Sequence, residues 1–138
     1  MSSSRFIVLS VVVADNADDE SHECISWLLV SSNNRPLGKA AARYPSSEAC
    51  REDVHRLREQ CGRVTSVATL TDVTVSTESG RLNGQWTWRA ELDGEAIAVS
   101  TRTYLRHREC EYSLQRFLEA VPASDLARTV RCIRSGRR

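Results

Sequence analysis

The chain has 138 residues, of which 41% are hydrophobic, and its 19 basic and 18 acidic side chains leave a formal charge of +1. This balance gives no global field that would demand nucleic acid or an anionic membrane as a partner. The length fits one domain or two small units with a shared core, because two independent units of about 65 residues would each bury too little surface to be stable.

The first predicted element is a strand over the β-branched run Phe6–Val13. The run is interrupted by Ser10 and followed by an acidic sequence, which argues against a signal peptide. No segment approaches the ~18 apolar residues of a membrane span. Five cysteines without a CxxC pair are typical of reduced thiols. We therefore expect a cytoplasmic protein that makes no membrane contact.

The next elements are predicted to be an acidic loop and a hairpin. Asp15–Glu23 has no apolar period and is predicted to be a loop. The strands Cys24–Ser32 and Leu37–Tyr44 are predicted to pair around a turn at Asn33-Asn34-Arg35-Pro36.

A helix is predicted after this hairpin, with Ser46 or Ser47 as its N-cap and Gly62 as its stop. Its apolar positions recur at helical spacing on one face, and they are Cys50, Val54, Leu57 and Cys61. A fourth strand is predicted at Val64–Leu70.

The second half repeats this order of elements. The predicted segments are a strand at Asp72–Thr77, a turn at Ser79–Gly84, a strand at Gln85–Leu92, a hairpin turn at Asp93-Gly94 and a strand at Glu95–Tyr104. A helix over His107–Val121 follows, with Cys110, Leu114, Phe117 and Val121 on its apolar face and Pro122 as its stop. The last strand is predicted at Leu126–Ile133, before a disordered tail.

Identities at an offset of sixty residues relate the two halves. The pairs are Tyr44 and Tyr104, Cys50 and Cys110, Arg56 and Arg116, and Glu59 and Glu119. This pattern predicts a first unit at residues 1–71, a second at 72–134 and a tail at 135–138, with one core shared by both units.

The second half also resembles the YegP-like family of small bacterial and archaeal proteins. The matching residues are Trp86-Thr87-Trp88, Asp93-Gly94-Glu95-Ala96-Ile97-Ala98, Ser100, Tyr104, Cys110 and Leu114. The first half is a weaker copy, through Trp27, Asn33-Asn34, Leu37-Gly38, Tyr44 and Cys50. The resemblance implies an α+β fold in which two tandem β3-α-β repeats form one antiparallel-rich sheet with exchanged C-terminal strands, and two helices pack against it. The family has no established activity, so the resemblance implies no catalytic residue.

Thiol and metal chemistry were weighed against structural roles. Cys50 and Cys110 lie in the first turns of their helices, where a thiol is activated, but both fall on the apolar faces and are predicted to be core residues. His22 and Cys24 lie in or next to the acidic loop without further ligand spacing, so we predict no metal and no cofactor. His55 and His107 are predicted to be surface residues. No P-loop, GxGxxG, HExxH or GxSxG motif occurs.

Aromatic and basic residues of the second half suggest a nucleic-acid surface as an alternative. Trp86 and Trp88 are either stacking residues or, as we favour, residues buried beneath a helix. The candidate contact residues for a partner or nucleic acid are Arg102, Arg106, Arg108, Arg128, Arg131 and Arg134. The sequence thus predicts a non-enzymatic interaction or assembly module that binds a protein partner or itself through a sheet edge. A nucleic-acid-binding protein is the alternative.

Overall fold

The structure, a computed structural model, describes residues 4–14, 21–70, 75–77, 80–82 and 85–134, with side chains for residues 4–10, 24–70 and 85–127. The strands are β1 (Arg5–Ala14), β2 (Ser21–Val30), β3 (Pro36–Ala40), β4 (Thr65–Leu70), β5 (Val75–Thr77), β6 (Gly80–Leu82), β7 (Trp86–Leu92), β8 (Glu95–Val99) and β9 (Asp125–Arg134). The helices are α1 (Ser47–Glu59) and α2 (His107–Ala120), followed by the short 3-10 turns Cys61–Arg63 and Val121–Ala123.

Seven strands form one sheet in the order β4-β7-β8-β3-β2-β1-β9. The pairs are antiparallel except for β1 with β9, which is parallel. β5 and β6 pair with each other in a separate two-stranded ribbon. The prediction of an α+β fold with an antiparallel-rich sheet and two helices is confirmed.

The core lies between the two helices and one face of the sheet. Its centre is the ring of Phe117 on α2, whose centroid lies 4.8 Å from that of Trp88 and 6.3 Å from that of Trp27. Trp27 and Trp88 are each 1% exposed. The preference for burial of Trp88 is therefore confirmed, whereas Trp86, at the start of β7, is only partly buried.

Capping and apolar spacing account for the helices. Ser46 is the N-cap of α1, and its hydroxyl accepts a hydrogen bond from the Ala49 amide at 3.1 Å. The predicted apolar faces are buried at Cys50, Val54 and Leu57 in α1 and at Cys110, Leu114 and Phe117 in α2. The prediction that α1 includes Cys61 and stops at Gly62 was wrong, because α1 ends at Glu59 and a 3-10 turn follows.

The hairpin turn at Asp93-Gly94 is confirmed. Its residues have φ values of 55° and 84°, the left-handed conformation at both central positions of a type I′ turn. In the β2–β3 turn, Asn34 has φ 62°. Asparagine and aspartate tolerate this region better than other residues with a Cβ atom.

Predicted strands and turns differ from the structure in the regions of β2, β5 and β6. β2 begins at Ser21, inside the predicted acidic loop, because its ladder with β1 continues to the pair Ala14 and Ser21 whatever the side-chain polarity. Residues 15–20 of that loop lie outside the described residues. The predicted turn at 79–84 was wrong at Gly80–Leu82, which forms β6. The predicted strand at 72–77 is described only at Val75–Thr77, and it lies in the ribbon instead of the large sheet.

The strands predicted to end at Tyr44 and Tyr104 are shorter than predicted. β3 ends at Ala40 and β8 at Val99. Both tyrosines nevertheless pair in isolated bridges, Tyr44 with Ile25 and Tyr104 with Trp86. Backbone hydrogen bonds therefore hold Tyr44 against the middle of β2 and Tyr104 against the start of β7. The predicted tail at 135–138 lies outside the described residues.

Candidate functional site

A groove of about 1080 Å³ lies between the β2–β3 turn, the segment 101–104 after β8 and the first half of α2. We call it the arginine groove. Its charged lining residues are Arg35, Arg102, Arg108, Arg116 and Glu109, all of them exposed. Four guanidinium groups against one carboxylate make this surface strongly cationic, although the whole chain is nearly neutral.

Hydrogen bonds to the core position the floor of the groove. Tyr104 donates its hydroxyl hydrogen bond to Ser113 Oγ at 2.6 Å, and the indole Nε1 of Trp88 donates to the same oxygen at 3.1 Å. Ser113 therefore links the groove to the buried Trp88 ring.

Two of the arginines lie over tyrosine rings. The guanidinium carbon of Arg102 is 4.9 Å from the ring centroid of Tyr104, and that of Arg116 is 5.8 Å from that of Tyr112. Arg116 also donates to the Tyr112 hydroxyl at 3.5 Å. These contacts hold two cations beside aromatic surface.

The corresponding region beside α1 is neutralised by acidic residues. Asp93, in the β7–β8 turn, lies 3.0 Å from Arg56 Nη2 and 3.0 Å from Arg63 Nη2. Asp53 lies 3.6 Å from Arg56 on the same helix. Hydrogen bonding to Asp93 raises the pKa of Arg56. Here, turn and helix are joined by ion pairs.

The groove lacks the carboxylates of this cluster at the positions sixty residues away in the sequence. Arg116 corresponds to Arg56, but Asn33 stands where Asp93 would supply a carboxylate, and Ser113 stands in place of Asp53. Among the described residues, no carboxylate forms an ion pair with an arginine of the groove. An excess of positive charge is therefore present beside α2 and its facing turn, whereas ion pairs neutralise the corresponding arginine beside α1.

The residues predicted from the sequence fall in different places. Arg102 and Arg108 line the groove, and Arg106 is the exposed N-cap residue of α2. Arg128, Arg131 and Arg134 lie on β9, which β1 and β2 separate from β3, and their side chains lie outside the described set.

Two groove residues were missed by the sequence analysis. Arg35 and Arg116 come from a turn and a helix that are far apart in the chain. The available signal was the offset of sixty, which sets Arg116 against the paired Arg56 and sets Asn33 against Asp93.

A second candidate surface is the outer edge of β4. This strand ends the sheet, and within the described residues β7 is its only neighbour. Its sequence, TSVATL, contains neither charge nor proline, and Val67 and Leu70 are 44% and 50% exposed. Such an edge presents unpaired backbone donors and acceptors. β9, at the other edge, carries charges at Asp125 and three arginines.

The candidate thiols are core residues. Cys50 and Cys110 are 0% exposed. Burial raises the pKa of Cys50 from its ordinary value of 9.0 to about 11, and it raises the pKa of Cys110. Both thiols are thus held in the protonated form at neutral pH.

Among the described residues, no group of three His, Cys, Asp or Glu side chains is placed to hold a metal ion. The candidate cluster at His22 has side chains outside that set. No helix of the described chain combines the length and apolarity needed to cross a membrane.

The fold and the groove thus define a small α+β protein with a cationic surface lined by tyrosines. Two solved structures are similar to this chain. One is YegP, a protein of unknown function from E. coli, with 11% identity and a TM-score of 0.48, covering 95% of this chain and 97% of that chain. The other is a UPF0339 protein from Shewanella oneidensis, with 8% identity and a TM-score of 0.47, covering 92% of each chain. No protein-family model and no curated protein match the sequence, and the YegP-like resemblance stays a prediction.

Proposed function

We propose that this chain is a non-enzymatic assembly module that associates with a second copy of itself through the edge of β4. The observation that carries the proposal is the uncharged edge of this strand, which has no neighbour among the described residues, with Val67 and Leu70 about half exposed. Natural sheets usually protect such an edge with charges, proline or a covering element.

Antiparallel pairing of β4 with its copy fits the composition of the strand. A two-fold axis through the sheet at Val67 would set the two copies of this side chain side by side and keep all helices on one face. No like charges would oppose each other, and a pair of β-branched side chains across two strands is favourable. Because the contact is only six residues long, we expect weak, concentration-dependent association.

Light scattering after size-exclusion chromatography, over a wide concentration range, tests the proposal. The wild-type chain should shift from monomer to dimer as its concentration rises. Val67→Lys should remain a monomer, because the axis would bring two ammonium groups together. Leu105→Lys is the matched control, since Leu105 is 64% exposed but lies outside β4. A wild-type chain that stays monomeric throughout would refute self-association.

The proposal includes the tandem β3-α-β organisation with units at 1–71 and 72–134. It is supported by the pairing of β4, the last strand of the first half, with β7, and of β9, the last strand of the second half, with β1. The ribbon of β5 and β6 is the departure from that scheme.

A cytoplasmic location is the remaining part of the proposal. It is supported by the four cysteines whose side chains the structure describes, Cys24, Cys50, Cys61 and Cys110, all of which are free thiols.

A further inference from the structure

We infer that the arginine groove binds single-stranded nucleic acid, with the guanidinium groups on phosphates and Tyr112 stacked against a base. This site is separate from the β4 edge, and it adds a ligand to the proposed assembly.

The first argument is the uncompensated charge. Beside α1, Asp93 and Asp53 neutralise Arg56. Beside α2, the equivalent Arg116 lines the groove together with the neutral turn residue Asn33. An exposed cluster of cations that repel each other is stabilised when an anion enters.

Three further arginines of the groove increase this difference in charge between the two halves. Arg102, Arg108 and Arg35 stand where the positions sixty residues away hold Ala42, Glu48 and Glu95. The three changes act in the same direction, from neutral or acidic to basic, on one surface. A guanidinium is a planar fork of donors that matches a phosphate group, so the class of anion this surface suits is a phosphate.

The shape of the surface indicates a chain-like ligand. A second depression, of about 420 Å³, shares Ser31, Ser32, Leu37, Tyr112 and Arg116 with the groove and continues along α2 to Glu119 and Ala120. The two depressions therefore form one path along the helix. Repeated phosphates on a flexible strand can follow such a path, whereas one small anion would use only part of it.

An exposed aromatic ring favours nucleic acid over an acidic peptide as the ligand of this groove. Tyr112 is 60% exposed in the middle of the path, and Arg116 lies beside its ring. Bases stack on tyrosine and on guanidinium planes, and a single strand offers free base faces that a duplex keeps inside. The carboxylates of an acidic peptide would leave this ring unused.

Fluorescence anisotropy with a short labelled RNA strand of mixed sequence, and with the same strand as DNA, tests the inference in the full-length chain. The logarithm of the binding constant should fall linearly with the logarithm of the salt concentration, with a slope of about −3 if all four arginines contact phosphates. The duplex of the same sequence should bind more weakly than the single strand.

Matched variants assign the binding to the groove. Arg108→Gln with Arg116→Gln should reduce the magnitude of the salt slope by about one unit or more. Arg56→Gln is the control, because it removes the equivalent arginine from the ion-paired side. Tyr112→Ser should lower the affinity about tenfold without changing the salt slope.

A further variant tests the charge comparison directly. Asn33→Asp places a carboxylate where Asp93 lies in the other turn, and it should weaken RNA binding while the circular dichroism spectrum is unchanged. Val67→Lys should bind RNA like the wild type, so the groove and the β4 edge can fail independently.

Three outcomes would overturn the inference. The first is no binding to either strand at low salt. The second is equal loss of affinity for Arg56→Gln and the groove variants. The third is displacement of RNA by polyglutamate as readily as by unlabelled RNA, which would identify an acidic-peptide site.

Discussion

Gly38 on β3 lies directly beneath the ring of Phe117 on α2. A Cβ atom at Gly38 would overlap Phe117 Cδ1 and lie 3.0 Å from Cη2 of Trp88. The absence of a side chain at this position allows the sheet and the helix to approach closely enough to bury both rings. This contact fixes the height of α2 above the sheet, and with it the floor of the arginine groove.

Gly38→Ala should therefore destabilise the chain by about 1–3 kcal/mol, the usual cost of overfilling a packed core. Gly62→Ala is the control, because an added Cβ there meets nothing within 4 Å. It should change stability by less than about 0.5 kcal/mol. Urea unfolding followed by tryptophan fluorescence measures both variants, and equal effects would contradict the packing argument.

Ser113→Ala should cost about 1–3 kcal/mol, because it leaves the indole Nε1 of the fully buried Trp88 without its acceptor. Tyr104→Phe removes only the other hydrogen bond to Ser113 and should cost about 0.5–1.5 kcal/mol. Urea unfolding gives both values. If Tyr104→Phe proves the more damaging change, Ser113 matters through the tyrosine and not through the indole.

The two helix N-termini predict opposite effects of mutation. Ser46 caps α1, so Ser46→Ala should lower the free energy of unfolding by about 1 kcal/mol. Arg106, at the equivalent position of α2, makes no side-chain capping bond. Arg106→Ser should therefore raise stability by about 0.5–1 kcal/mol, as measured by the urea midpoint. An unchanged midpoint would mean that the α2 terminus is satisfied in another way.

The burial of Cys50 predicts a stability loss at alkaline pH. Its pKa is raised from 9.0 to about 11, so the folded state favours the protonated thiol. The protonated thiol contributes fully to the free energy of unfolding below pH 9. This contribution declines as the pH rises towards 11, because the thiol of the unfolded chain loses its proton at a lower pH. Between these pH values, the unfolding free energy of the wild type should fall more steeply than that of Cys50→Ala. Parallel curves would contradict the assignment.

Local patterns account for the features that the sequence predicted correctly. The i, i+4 and i+7 spacing from Cys50 and from Cys110 marks the buried face of each helix, and Asp93-Gly94 encodes the type I′ turn through its positive φ angles. These signals depend on neighbours within a few residues, so they can be read without the fold. Ladder pairing, which extends β2 to Ser21 against the polarity pattern, depends on the distant strand β1 and could not be read in this way.

For the candidate site, the sequence by itself supplied Arg102 and Arg108, which stand near each other in a basic segment. Only the tertiary structure added Arg35 and Arg116 and brought them to one groove with Asn33. The reason is the strand order, which places β3 beside β8 and brings the β2–β3 turn to the segment after β8 and to the exposed face of α2. Charge compensation is a property of side chains that meet in space, and in this chain the residues that meet are separated by most of its length.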